Sequence, residues 1–392
     1  MSDATGTGLL CIPRHGCGGS ASLTMAGVTR ADRCPGVLRP HVAQDGAVVR
    51  IRIPGGQTTG TAIGRLSRIA QEFGNRDIQL TSRASVQLRG LPDPVPQRLI
   101  DAVRGAGFLP SDTHERVRNI VASPLTGVSG GVVDVRPLVV QLNAGICADT
   151  RLAALPSRFL FALDDGRGDV SGAPFDLGYR AVDHDYGWVL LGGPDLGIPV
   201  ATGAAVETLL DLGRQFLAVS EPLSDVWHVH DLPRWVSSLR QVRTIALPRW
   251  TAGTPLGNVA GAASVHVPLG LLTPAQAGVV EACAAEAAVI TPSRGLVLPG
   301  AGGDLASLVA TGLIDDPASP WSAISACVGA PSCQKSLINT RAYATTLARF
   351  GSLPRRTHIS GCERCCGAPA GDHIDLVVPD NFQILATIGE AQ

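Results

Sequence analysis

A strand, helix, strand, strand unit occurs twice in this chain, about 210 residues apart, and that duplication restricts the fold more than any other feature of the sequence. The alternating run 47–53, AVVRIRI, ends at Pro54-Gly55-Gly56 and reads as a strand and a turn. In 61–73, TAIGRLSRIAQEF, Ile63, Leu66, Ile69, Ala70 and Phe73 recur at helical spacing, and 77–88 reads as strand, turn, strand. Val265-His266-Val267-Pro268 repeats the strand and turn. Residues 273–287 repeat the helix with Thr273 as its cap, and 288–291 with 296–300 repeat the hairpin. Thr81 falls on Thr291, Leu88 on Leu298 and Gly90 on Gly300. A solenoid needs three or more units, so two copies predict an α+β fold: duplicated halves related by a pseudo-twofold, with mixed or antiparallel sheets, packed helices and room for a ligand between the halves.

The remaining sequence sets the expected domains. Residues 1–26 lack periodicity and read as a flexible leader, with Met25 an alternative start. The first half spans 27–127, and an α+β unit spans 128–255. Within that unit VVDVRPLVVQL and YGWVLLGG look strand-like, while 151–161 and 204–219 look helical. The second repeat, carrying most of the cysteines, spans 256–392. A net charge of -1 over 392 residues excludes a strong sequence-independent nucleic-acid binder, and no apolar run is long enough for a membrane span. No secretory signal is visible, so the cytoplasm is the expected location and ten cysteines read as metal ligands or reactive thiols rather than as disulfides. Among 32 basic residues only Lys335 is lysine, which leaves a chain full of planar forks suited to carboxylates, or simply a coding bias.

Four cysteines stand as Cys327-x5-Cys333 and, after 28 residues, Cys362-x3-Cys366, in CVGAPSC and HISGCERCCG. Zinc ribbons favour tighter pairs and thioredoxin-like pairs need CxxC. A 4Fe-4S cluster needs four thiolates on supple loops, which Gly329, Pro331, Gly361 and Gly367 permit. Zinc and inert buried thiols remain the alternatives, and Cys365 offers a second candidate for the fourth ligand.

These two cysteine pairs, in these contexts, resemble the cluster motif of the sulfite and nitrite reductase superfamily, whose fold is itself a duplicated α+β unit. Within it, RCPGVLRPHVAQDGAVVRIRIPGG, LPSRFLFALDDG and the chain length resemble the precorrin-3B synthase family, over residues 30–385. The resemblance implies an oxygen-dependent monooxygenase that hydroxylates precorrin-3A and closes a γ-lactone in aerobic cobalamin synthesis. It implies a 4Fe-4S cluster on Cys327, Cys333, Cys362 and Cys366, no sirohaem, molecular oxygen as co-substrate and a separate NAD(P)H-dependent electron donor. A sirohaem-dependent sulfite or nitrite reductase is the alternative, and an electron carrier or tetrapyrrole-binding partner a third reading.

Arg83 in LTSRASVQLRG and Arg118 in VRNIVASP stand where the reductases carry arginines facing their anion. The reductase motif LPRKFK supplies two lysines, but here Arg158 keeps one cation and Leu160 replaces the other. That loss disfavours a small dianion as substrate. A tetrapyrrole rim bearing many carboxylates instead suits a clamp built from Arg50, Arg52, Arg83, Arg89, Arg118 and Arg158, although each arginine alone could be an ion-paired surface residue. His228-Val229-His230, read as a strand, could join Asp225 or Asp231 in a mononuclear non-haem iron site, or be an ordinary strand pair. His358 and Ser360 read as shaping the cluster loop. Cys11, Cys17, Cys34, Cys147 and Cys283 read as spare thiols, with Cys34 beside Pro35-Gly36 the least certain of them. GAGGD at 300–304 lacks the third glycine of a dinucleotide fingerprint.

Overall fold

The structure, a computed structural model, describes residues 32, 34–171, 174–246, 253–351, 355–369 and 371–377. The leader, with Cys11, Cys17 and Met25, lies outside the described residues. The described residues fall into two compact units, 32–322 and 323–377.

In the larger unit the two sequence repeats build two five-stranded sheets, each completed by a strand from the other. His41–Ala43, Gly46–Ile51, Val86–Leu91, Ile78–Leu80 and Leu271–Leu272 lie side by side in that order. Gly257–Val259, Ala262–His266, Gly295–Leu298, Ala288–Ile290 and Gln57–Thr58 form the second sheet. The exchanged pairs are antiparallel, Leu271 against Gln79 and Val289 against Gln57. Ile51, Leu66 and Leu88 therefore share one core with Val265, Val280 and Leu298, so the halves stabilise each other by removing a common apolar surface from water.

The helices Gly60–Phe73 and Pro274–Cys283 cross between the sheets. Each begins at a threonine whose hydroxyl accepts the amide hydrogen bond of the residue three further on, Thr59 from Ala62 N and Thr273 from Gln276 N. Gly60 N donates to Ala284 O at 2.8 Å, and a Cβ on Gly60 would lie 2.4 Å from that oxygen, so only glycine permits this approach. The repeat offset is 214 at the turns Pro54–Gly56 and Pro268–Gly270 but 210 at the strands Ile78–Leu80 and Ala288–Ile290, because the second helix has 10 residues against 14. One lost helical turn accounts for the drift. The hairpin turns match in detail: Thr81 and Thr291 hydroxyls accept amides across the turn, and Ala84 and Arg294 both have positive φ.

The middle of the chain forms a six-stranded mixed sheet in the order Arg243–Thr244, Leu196–Ala201, Tyr186–Leu191, Leu177–Ala181, Phe161–Asp164, Ile120–Ala122. Here the sequence reading needs correction. VVDVRPLVVQL is mostly helix, Arg136–Ala148, because Pro137 opens it and Leu138, Val139, Leu142 and Ile146 recur at helical spacing despite their β-branched neighbours. The stretch 151–161 holds only a short 3-10 turn, Thr150–Ala154, before strand Phe161–Asp164 begins. The helix Ala205–Ser220 is where its pattern predicts, and with Arg136–Ala148 it packs Leu142, Leu209 and Phe216 on Phe159, Phe161 and Tyr179. Among the described residues no helix is long and apolar enough to cross a membrane.

The smaller unit contains three parallel strands, Ile324–Ala326, Thr357–Ser360 and Ile374–Val377, with helix Thr340–Phe350 between the first two in sequence.

Candidate functional site

Parallel strands gather ligands at their carboxyl ends, and two of the predicted cluster cysteines follow strands directly. Cys327 succeeds Ile324–Ala326 and Cys362 lies two residues beyond Thr357–Ser360, after Gly361, with Ala326 paired to Ile359. Cys327 N donates to Ile359 O at 2.9 Å, which ties the first thiol to the neighbouring strand. Thr340 at the start of the helix donates its hydroxyl to Cys327 O at 2.8 Å and lies 3.6 Å from Cys327 Sγ, so a helix N-terminus, favourable to negative charge, adjoins that sulfur. Cys366 is brought within electrostatic reach of Cys362, Cys327 and Cys333; burial first, then these neighbouring thiols, push its pKa up against the opposing charge of Arg364. Ser360 Oγ is buried without a hydrogen-bond partner beside this loop. A Cβ on Gly361 would lie 1.7 Å from Ser336 Oγ, so the loop closes only with glycine there. Four thiols on small-residue turns, with Cys366 in electrostatic reach of the other three and an orphaned hydroxyl beside the loop, are a donor set that fits a 4Fe-4S cluster.

In the larger unit a second grouping forms around Cys34. Arg50 leaves strand Gly46–Ile51 opposite Gln87, whose Oε1 accepts from its Nη2 at 3.4 Å. Arg52, 1% exposed, donates from Nε to Asn119 Oδ1 at 3.1 Å and from Nη1 to the Pro35 and Arg50 carbonyls. Asn119 in turn donates to Ser157 O and Phe159 O, fixing the loop that carries Arg158. Arg83 projects from the turn between Ile78–Leu80 and Val86–Leu91, and its Nη1 donates to Arg158 O at 2.9 Å. Arg158 itself is exposed, with its guanidinium 6.0 Å from the centre of the Trp227 ring.

Among the described residues none of these four arginines is in ion-pair contact with a carboxylate, and Arg50 Nε and Arg52 Nη2 are buried without partners. Burial, then mutual repulsion with Arg50, pulls the Arg52 and Arg83 pKa values below the ordinary guanidinium range, and burial does the same to Arg50. These four arginines form a cationic nest.

The other predicted residues have partners of their own, although Arg118 Nε, like Arg50 Nε and Arg52 Nη2, is buried without one. Arg89 is buried and forks onto Asp45 at 2.8 and 3.0 Å. Arg118 is 3% exposed and donates to Phe108 O at 3.1 Å and Asn143 Oδ1 at 3.4 Å, with Cys147 and Glu115 as its nearest charge partners. Leu160, standing for the missing cation, packs with Val121, Phe175 and Leu190 in an apolar cluster. GAGGD follows the strand Gly295–Leu298, whose neighbours are antiparallel, so it does not open a βαβ unit. His358 Nδ1 lies 2.9 Å from Ser325 Oγ, bridging the first two strands of the smaller unit.

The extended His228-Val229-His230 reading is corrected: Val229–Asp231 is a 3-10 turn, with the two rings stacked 5.0 Å apart. Asp231 accepts the amides of Trp227 and His228 and lies 3.5 Å from His230 Nε2, while buried Asp176 takes His228 Nδ1 at 3.1 Å; the two imidazoles thus face different carboxylates, and among the described residues they do not gather with Asp225 or Asp231 into a three-ligand group. A short polar turn capped by its own aspartate gives the same alternating letters as a strand.

Sequence reading missed a buried acidic group at 164–169. Asp164, Asp165 and Asp169 bring carboxylate oxygens within 4.8 Å of one another, with Arg167 on Asp165 at 2.8 Å. Burial, then the charge of Asp164, pushes Asp169 up to about 7. An Asp-Asp-Gly-Arg-Gly-Asp run is the signal that could have found it. The native protein keeps this proton to about pH 7 while the unfolded chain loses it near pH 4, so stability falls as pH rises through that window. Asp169→Asn is expected to flatten the decline and to stabilise the protein above pH 7, by on the order of 3 kcal/mol, in melts at pH 5 and 8. Parallel pH profiles for the two proteins would contradict the assignment.

The fold is a duplicated α+β fold of the kind seen in sulfite/nitrite reductases. Residues 41–103 match the nitrite/sulfite reductase ferredoxin-like half domain. The chain is similar to the precorrin-3B synthase of a Sinorhizobium species, 26% identical over 380 residues that cover 89% of this chain and 81% of that relative. It is also similar to the ferredoxin–nitrite reductase of Synechococcus elongatus, 24% identical over 84% of this chain and 76% of that enzyme. The NirA protein of Mycobacterium tuberculosis shares the fold with a TM-score of 0.66, at 20% identity, covering 82% of this chain and 69% of that one.

Proposed function

We propose that this protein is an oxidoreductase that uses molecular oxygen to hydroxylate precorrin-3A and form the γ-lactone of precorrin-3B in cobalamin biosynthesis, in the cytoplasm. The observation that carries the reading is the nest of Arg50, Arg52, Arg83 and Arg158 without carboxylate partners. A reduced tetrapyrrole rimmed by acetates and propionates supplies carboxylates in the geometry guanidinium forks accept. Arg83 and Arg158 take rim carboxylates, and Arg52, held by Asn119 and the Pro35 carbonyl, provides fixed positive charge beneath them. Holding one ring acetate steady also favours its closure onto a neighbouring carbon, since an intramolecular ester forms with high effective concentration. A 4Fe-4S cluster held by Cys327, Cys333, Cys362 and Cys366 would supply electrons one at a time.

A cluster of this kind cannot accept a hydride directly, and GAGGD is not a nicotinamide loop, so the donor is a separate flavin reductase. NADH alone is expected to leave the cluster absorbance unchanged over minutes, while NADH with a flavin reductase bleaches it. Fast bleaching by NADH alone would overturn this part of the reading.

The similarity to nitrite reductases favours one second reading, a sirohaem-dependent reductase. Protein purified from a host that makes sirohaem separates the two. The synthase reading expects only a broad brownish shoulder, whereas strong Soret and visible bands, with reduction of nitrite or sulfite, would replace it.

A further inference from the structure

Cys34 is half-buried at the arginine nest. Its amide donates to Asp32 Oδ1 at 3.1 Å, and Asp32 also accepts Ser157 Oγ at 2.5 Å and Ser157 N at 2.9 Å, which brings the cysteine against the Ser157-Arg158 loop. From the other side the Arg52 guanidinium binds the carbonyl of Pro35, the next residue, and its second terminal nitrogen, in a side chain 1% exposed, has no partner. The unpaired N–H donors of that group at the Cys34-Pro35 turn call for an acceptor, and the positive charge favours an anionic one.

We propose that Cys34 is a modification site for small disulfides bearing carboxylates, and that the mixed disulfide it forms closes the nest to substrate. The clause about closure rests on the carboxylate-clamp reading above; the modification does not. The Cys34 thiolate attacks one sulfur of the reagent, the new S–S bond replaces the old one, and the departing thiolate carries away the electron pair and takes a proton from water. Arg50, Arg52, Arg83 and Arg158 draw in the anionic reagent and hold the carboxylates of the part that stays.

The charges around the thiol favour its ionised form. Burial pushes its pKa up, but the neighbouring Ser157 hydroxyl, the charge of Arg50 and the Arg158 guanidinium outweigh both burial and the opposing charge of Asp32, leaving it below the ordinary thiol value. Arg52 and Arg83 add positive charge, while Glu115, which accepts the Val37 and Leu38 amides, and Asp176, whose charge faces Arg83, add negative charge. Cys147 and Cys283 are the internal standards, because burial first raises the pKa of each.

The full, cluster-loaded protein is treated with the dianionic 5,5′-dithiobis(2-nitrobenzoate) or the neutral 4,4′-dithiodipyridine, and adducts are mapped by mass spectrometry. Cys34 is expected to react first, at lower pH than Cys147 and Cys283, and to prefer the dianion relative to Cys283 by about tenfold or more, a preference that high salt removes. Arg158→Ala, at an exposed position, is expected to cut that preference without changing the melting temperature, and Arg83→Ala provides a second variant. Equal preference at Cys34 and Cys283, or slower reaction at Cys34, overturns the site. With uroporphyrin as the probe, the adduct made from oxidised glutathione is expected to weaken binding at least about tenfold, reversibly with reductant. Selective modification with unchanged uroporphyrin affinity keeps the site and removes the clamp reading instead.

Discussion

Serine at Cys327, Cys333, Cys362 or Cys366 is expected to bring iron and labile sulfide from about four each per chain to near zero, because a hydroxyl does not replace a thiolate on iron. The backbone around these residues explains why folding should survive: Cys327 is held by its strand pairing to Ile359, and the 362–368 turn by main-chain bonds from Cys365 N to Cys362 O and from Ala368 N to Cys365 O. Serine can make all of these. Cys365→Ser is the control, since that residue's backbone shapes the turn at positive φ, and it should retain most of the cluster. An empty Cys365→Ser variant beside a full Cys366→Ser variant would reverse the ligand assignment.

The second large effect separates arginines that the sequence groups together. Arg83→Ala should leave iron content and melting temperature near their starting values yet weaken tetrapyrrole binding by roughly ten- to hundred-fold, as expected for a lost charge-assisted pair of about 1.5 to 3 kcal/mol. Arg83→Lys should recover only part, because an ammonium lacks the planar fork. Arg118→Ala should behave oppositely. Its side chain is buried on the Phe108 carbonyl and Asn143, so truncation leaves a buried carbonyl unpaired and lowers the melting temperature. Unchanged affinity in Arg83→Ala would remove the clamp, and a purely affinity-based defect in Arg118→Ala would return that residue to the binding surface.

These contrasts mark how far the sequence could be read. Both repeats were legible because the first helix carries an apolar stripe at 3.6 spacing, both helices start at a threonine cap, and the Thr81 and Thr291 turns use the same hydroxyl. The strand exchange was not, since Gln57–Thr58 and Leu271–Leu272 are two residues long and too short to carry a period. Arg50 and Arg52 share one face of an extended segment, so two of the nest's members could be paired from the pattern of alternation alone. The separate fate of Arg89 depends on Asp45, 44 residues away in the chain, and such ion pairing is set only when Gly46–Ile51 and Val86–Leu91 come together. Cys34 stood out in the sequence only through its Pro-Gly neighbours; what makes its thiol unusual arrives from Ser157 and Arg158, more than 120 residues later.

The account meets its most direct test in the turnover of precorrin-3A under labelled oxygen by the cluster-loaded protein with a flavin reductase and NADH. Oxygen-dependent loss of precorrin-3A, with one oxygen atom from the gas in a lactone product, is the predicted result. Precorrin-3A left intact in oxygen, while the same preparation shows sirohaem bands and reduces nitrite or sulfite, would contradict it.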